Sequence, residues 1–200
     1  MDLPALYAEC APQVHPKTMD AVVQVESHGR VLALNVNRLR TQPPQPAMAD
    51  AAVQAAETWI ARGYSVDIGL GQINSRNLAV LGLTVRAALD PCANLHGAAA
   101  ILAANYVGAV QRVGEGQTAL LMALSAYNTG SYDRGFGNGY VARYAAGYVV
   151  PALSGAAPIP PRASHGTAGI AMTMRASRPN PLTADTTVAW GPGDPDKEAE

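Results

Sequence analysis

The sequence predicts a mainly helical domain, all-α or α+β, over about residues 1–150, with a flexible tail over 151–200. Three observations carry this. Apolar residues make up 48% of the 200-residue chain against 14% charged, enough for a sizeable core, and alanine supplies much of that share, which favours helix over sheet. Apolar positions recur at helical spacing between glycine and proline punctuation. Near residue 150 the composition changes: Pro151, Pro158, Pro160, Pro161, Pro179, Pro181, Pro192 and Pro195 follow among Ala, Gly, Ser and Thr, without apolar period. Such a stretch cannot bury enough surface to offset its ordering entropy. It reads as a flexible tail, or as a docking segment that orders on a partner.

Within the first 150 residues, Pro16 opens a helix on which Met19, Val22, Val23 and Glu26 recur, with Gly29 as its C-terminal cap and Cys10 just before it. The run Gln42-Pro43-Pro44-Gln45-Pro46 then breaks the chain. A second helix is expected from Met48 to about Arg62, with Ala52, Ala55, Ala56, Trp59 and Ile60 as its apolar stripe and Gly63 as its stop. Further helices are expected at 75–81, 92–113, 117–127 and 138–148. Leu95, Ala98, Ala99, Leu102, Tyr106 and Val110 mark the longest. No internal repeat is present.

Charge and composition exclude several classes. The net charge is −1 and the pI about 6.4, with no basic stripe for a nucleic acid. Mean hydropathy is +0.03, and no apolar run approaches the roughly 18 residues of a membrane span. Met1-Asp2-Leu3-Pro4 lacks the basic and apolar regions of a secretory signal. Cys10 and Cys92 are either two separate buried thiols or a bridge closing a long loop, which would indicate an oxidising compartment. No Cys/His cluster has metal spacing, and His15, His28, His96 and His165 are not spaced as ligands. Neither a metal nor a cofactor is expected. His15 reads as a helix cap or a surface residue.

Four strings carry chemistry. In Val22-Val23-Gln24-Val25-Glu26-Ser27, Val22 and Val23 lie one turn behind Glu26 and share its face. A carboxyl on the apolar side of a helix loses solvation when charged, so its pKa rises, as a general acid near neutral pH requires. A lone Glu at a helix end is ordinarily solvated, so the other strings matter. Asp67-Ile68-Gly69-Leu70-Gly71-Gln72-Ile73-Asn74 has two glycines that let backbone approach a ligand. Its Gln72 and Asn74 amides suit sugar hydroxyls and acetamido groups; a plain glycine turn with capping amides is the bland alternative. Ala126-Tyr127-Asn128 ends a helix, and Tyr140-Val141 follows.

In this order, the four strings resemble the lytic transglycosylase (SLT) domain of the lysozyme-like superfamily, over about residues 5–148. The matching pieces are Glu26-Ser27, Gly69-Leu70-Gly71-Gln72 with Ile73-Asn74, Ala126-Tyr127-Asn128 and Tyr140-Val141. Cys10-Ala11-Pro12 and Asp90-Pro91-Cys92-Ala93-Asn94-Leu95 are similar to the pattern of the transglycosylases associated with type IV secretion systems. Those relatives often carry Cys-Tyr or Tyr-Tyr where this chain has Ala126-Tyr127. The resemblance implies a lysozyme-like α+β fold with a minimal β element, a Cys10–Cys92 disulfide and a periplasmic location. It implies cleavage of the β-1,4 bond between N-acetylmuramic acid and N-acetylglucosamine in peptidoglycan glycan strands. Glu26 would be the catalytic residue, leaving 1,6-anhydromuramoyl ends and opening the wall for a secretion system. Ser27, Gln72, Asn74, Tyr127, Asn128 and Tyr140 would bind or position substrate, and the tail would be free to recruit secretion components.

Asp67 leaves an alternative open. Ordinary glycosidases use two carboxylates, and Asp67-x-Gly-x-x-Gln-Ile-Asn also resembles the string carrying the second carboxylate of C-type lysozymes. Asp67 is therefore a candidate second carboxylate of a hydrolytic muramidase, or a residue hydrogen-bonded within its own turn. A non-catalytic peptidoglycan-binding assembly subunit is a further alternative, against which a desolvated Glu26 argues. Trp59 and Tyr64 read as core, Trp190 lies in the tail, and Tyr132 and Phe136 are candidates to line the groove.

Overall fold

The computed structural model describes residues 2–147. The expected tail at 151–200, with His165 and Trp190, lies outside the described residues. Nine helices and a three-stranded antiparallel sheet make up the described residues, which is the mainly helical class with a small β element that the sequence predicts.

Helix α1 (Leu3–Cys10) is an element the periodicity did not reveal. It is short, with Tyr7 and Cys10 as its buried residues, so no stripe repeats. Asp2 caps it by accepting from the Ala5 N–H. Cys10 therefore ends a helix rather than preceding the first one. It is disulfide-bonded to Cys92, which fastens α1 to the start of α6 (Pro91–Val113).

Helix α2 (Pro16–Ser27) starts at proline with His15 as its cap, the imidazole Nδ1 accepting from Lys17 N–H at 3.2 Å. Met19, Val22 and Val23 are fully buried. The left-handed residue that ends the helix is His28 (φ 54°), and Gly29 (φ 75°) continues the reversal. The expected cap thus falls one residue early.

Strands β1 (Leu34–Val36), β2 (Val66–Ile68) and β3 (Ile73–Asn74) pair antiparallel in that order. Asn35 stands opposite Asp67, and Asp67 opposite Asn74. Cross-strand partners share a face, so one row of polar side chains crosses the sheet. The Pro-rich stretch has a structural use at the β1 edge. Prolines cannot donate to a ladder, and two glutamine side chains substitute for a strand. Gln42 bonds both N–H and C=O of Val36, and Gln45 does the same for Leu34, all at 2.8–2.9 Å.

Helix α3 (Ala49–Ala61) follows, burying Ala52, Val53 and Ala56. Beyond the sheet, the predicted helix at 75–81 divides into a 3₁₀ turn (Ser75–Asn77) and α4 (Leu78–Leu81). A short α5 (Val85–Ala88) precedes α6. Helix α6 packs against α1, α5 and α7 (Gln117–Thr129) and forms the centre of the core with Leu95, Ala98, Ala99, Ile101 and Leu102. The last expected helix, at 138–148, forms as α9 (Tyr140–Gly147), and a one-turn α8 (Arg134–Gly137) that the periodicity did not reveal precedes it. Among the described residues no helix is long and apolar enough to cross a membrane.

Candidate active site

Glu26 lies on the last turn of α2, part-buried, one turn beyond the fully buried Val22 and Val23. From α9, the Tyr140 hydroxyl donates to Glu26 Oε1 at 2.5 Å. The Tyr144 hydroxyl, one turn further along α9, lies 2.7 Å from that of Tyr140, and the two rings meet edge to face. Burial pushes the Glu26 carboxyl up to about 8. The Tyr140 hydrogen bond opposes this rise, the negative charge of Asp67 adds to it, and the exposed Arg143 guanidinium opposes it. Burial first, then the charge of Glu26, hold Tyr140 well above the usual phenol range, so it stays protonated and able to donate. A carboxyl neutral at pH 7 is the species a general acid needs.

Asp67 is fully buried in the middle of the sheet. Its Oδ2 accepts from Asn35 and Asn37 amides, both at 3.1 Å, and its Oδ1 from Asn74 at 2.7 Å. The sheet register brings these donors together: Asn35 and Asn74 flank Asp67 across the strands, and Asn37 follows two residues on. Asn74 is 1% exposed, and its Oδ1 also accepts from Arg76 N–H at 3.1 Å. Its amide is thus engaged inside the protein.

The glycine loop is closed by a residue whose role the motifs did not indicate. Asn94, fully buried on α6, donates to the carbonyls of Ile68 and Ala88 and accepts from Gly71 N–H, at 2.6–2.8 Å. Both glycines are needed for this closeness. A Cβ on Gly69 (φ 77°) would lie 2.3 Å from Asn94 Nδ2, and one on Gly71 would lie 2.5 Å from Ala98 Cβ. The Tyr127 hydroxyl donates to Gly71 O at 2.6 Å, tying α7 to the loop. Gln72 takes a left-handed backbone (φ 49°), a conformation that costs a residue with a Cβ about 1–2 kcal/mol. Its side-chain amide holds the turn by donating to Gly69 O at 2.9 Å and Ala33 O at 3.2 Å.

The structure therefore brings Glu26, Tyr140, Tyr127, Asp67 and the Gln72 loop into one electrostatically coupled region; the charge of Glu26 also raises Tyr127. Asn128, 7% exposed at the end of α7, makes no side-chain hydrogen bond among the described residues. Ser27 is fully buried, and its hydroxyl donates back to Val23 O at 3.1 Å rather than to Glu26. Trp59 and Tyr64 pack edge to face and are part-buried against the core. Phe136 is 48% exposed, and Arg112 stacks over Tyr132. Tyr144 and Arg143 are the members of the site that sequence reasoning missed. The spacing of four between Tyr140 and Tyr144 is the signal that could have found the first.

Residues 4–145 match the family described as the Transglycosylase SLT domain. The chain belongs to this family. The SLT domain read from the four motifs is thus borne out. Curated relatives include Protein virB1 of Agrobacterium fabrum (strain C58), 43% identical over 148 residues, covering 73% of this chain and 60% of the relative. The type IV secretion system protein virB1 of Brucella abortus biovar 1 is 39% identical over 132 residues, 66% of this chain and 55% of the relative. The SLT domain chain spans about three-fifths of the length of these relatives. No solved structure matches it.

Proposed function

We propose that the chain is a peptidoglycan lytic transglycosylase that cleaves the β-1,4 bond between N-acetylmuramic acid and N-acetylglucosamine. Glu26, neutral at working pH, protonates the bridging oxygen as the bond to C1 breaks. The resulting carboxylate, to which Tyr140 donates, then takes the proton of the muramoyl C6 hydroxyl as that oxygen attacks C1. A 1,6-anhydro end results, no water is consumed, and Glu26 ends protonated as it began. One carboxyl serves both steps because the substrate supplies the nucleophile.

The observation that carries this reading is the hydrogen bond from Tyr140 to a part-buried Glu26, whose desolvation pushes the carboxyl up to about 8. The Asn128 side chain and Gln72 Oε1 are available for sugar substituents, since neither makes a hydrogen bond among the described residues. Tyr127 and Asn74 act behind them, on the loop and on Asp67. Three asparagine amides on a fully buried Asp67 favour an electrostatic part over that of a nucleophile or water-activating base. On this reading the chain opens the cell wall, in the periplasm, for a type IV secretion system; the name of the Brucella relative, a type IV secretion system protein, supports the secretion context. Mass spectrometry of muropeptides released from purified sacculi by the full chain tests the reaction. Anhydromuramoyl ends are expected, lost in Glu26→Gln; reducing ends would replace this reading with hydrolysis.

A further inference from the structure

A second concavity opens at the far end of the sheet from the glycine loop. It has a volume of about 180 Å³ and is lined by Asn37, Arg38, Arg62, Tyr64, Ser65 and Arg76. Three guanidiniums from three separate elements meet there: Arg38 after β1, Arg62 at the end of α3, and Arg76 in the turn after β3. Among the described residues none of the three forms an ion pair. In a chain of net charge −1, an uncompensated triple positive charge in one hollow is a local concentration that folding does not need.

Two features mark it as built. Arg38 holds a left-handed backbone (φ 68°), which costs about 1–2 kcal/mol and which no hydrogen bond of its side chain explains. Arg62 is fixed over the Trp59 ring at 5.0 Å, and Trp59 in turn meets Tyr64 edge to face. The floor carries an independent sign of a missing guest. Asn37 is 2% exposed, and its Oδ1 is buried without a hydrogen-bond partner, while its Nδ2 serves Ser65 O and Asp67. A hollow lined by three cations and by a residue with an unpartnered acceptor suits a ligand that brings an anion together with N–H groups.

We propose that this pocket binds the free carboxylates of the peptide stems borne by murein, and so sets where a strand lies over Glu26. The inference rests on the peptidoglycan reading. Peptide stems supply amide N–H groups and carboxylates together, and arginine pairs with carboxylate through two parallel hydrogen bonds. The volume is below the roughly 300 Å³ at which pockets enclose whole ligands, so it suits a substituent held while the glycan lies elsewhere. Its position fits. Arg38 lies three residues beyond Asn35, at most about 11 Å along the chain, and Asn35 touches Asp67.

The test uses the full chain and two probes: stem peptides released from purified sacculi by an amidase, and inorganic phosphate. Stem peptide is expected to shift the Arg38, Arg62 and Arg76 side-chain NMR signals at concentrations where phosphate does not. For catalysis, intact strands are compared with amidase-stripped ones. Arg38→Gln/Arg76→Gln should raise KM on intact strands about tenfold with kcat unchanged, leaving stripped strands unaffected. Arg76→Gln alone, an exposed change, should give about a threefold rise. Equal losses on both strands, or phosphate binding as tightly as peptide, would overturn the proposal. If neither strand is cleaved while peptide still binds, the transglycosylase reading fails and the pocket assignment stands.

Discussion

The hydroxyl of Tyr144 sits 2.7 Å from that of Tyr140, which in turn donates to Glu26. A hydroxyl carries one proton, so the pair has two consistent orientations. With Glu26 ionised, Tyr144 donates to Tyr140 and Tyr140 to the carboxylate. With Glu26 protonated, the direction can reverse. The pair thus accommodates both of the states that the proposed mechanism asks of Glu26, acid first and base second.

This gives a prediction for the pH profile. kcat/KM should fall above about pH 8, where Glu26 loses its proton. The Tyr140 hydrogen bond favours the carboxylate and lowers the pKa, so Tyr140→Phe should move that alkaline limb upward. Tyr144→Phe should move it the same way by less, because a donor to Tyr140 makes Tyr140 a better donor. In the Tyr140→Phe background it should move nothing further. An additive shift in the double variant would mean that Tyr144 acts independently of Tyr140.

Asp67→Asn should move the limb the opposite way. The Asp67 charge raises Glu26, so its removal lets Glu26 ionise at lower pH. The variant also loses charge-assisted bonds from three amides, each worth about 1.5–3 kcal/mol, so its melting temperature must be measured alongside. Anhydromuramoyl products are expected to persist. Their replacement by a complete loss of cleavage in a folded variant would return Asp67 to the list of reacting groups.

Glu26 itself should make the fold pH-dependent. Its folded pKa of about 8 stands above the ordinary 4.5, so the fold is favoured by this group below pH 4.5 and loses that advantage as pH rises to about 8. The shift sets a ceiling of roughly 5 kcal/mol, reduced by the solvent that reaches the part-exposed side chain. Glu26→Gln should therefore melt higher than the parent at pH 8 by on the order of 5 °C, with little difference near pH 4.5. A difference constant with pH would mean that the carboxyl is not desolvated.

The Cys10–Cys92 bond closes a sequence separation of 82 residues. In the chain-entropy account a loop of that length is worth about 4.5 kcal/mol. Cys10→Ala/Cys92→Ala should lower the melting temperature by about 10–15 °C, and a reductant should do the same to the parent and nothing to the variant. A parent insensitive to reductant, with free thiols by mass, would show the bridge to be unformed.

Local chemistry alone determined a large part of this protein. A proline start, buried valines one turn behind a glutamate, and a glycine pair followed by amides are patterns within a dozen residues, governed by backbone and periodicity. They pointed to Glu26 and the Gln72 loop, whereas Tyr127 and Tyr140 became candidates only through the resemblance of the four strings, in order, to the SLT domain. What only the tertiary structure decided lies between segments far apart in the chain. Three asparagines converge on Asp67 because strand register brings Asn35 and Asn37, 32 and 30 positions away, to the same carboxylate as Asn74, 7 positions away. Asn94 reaches the loop from another helix, and Tyr144 meets Glu26 only through Tyr140. Short elements such as α1, α5 and α8 escaped for a related reason: a helix of one or two turns completes too little of a period to declare its face, and packing, not propensity, stabilises it.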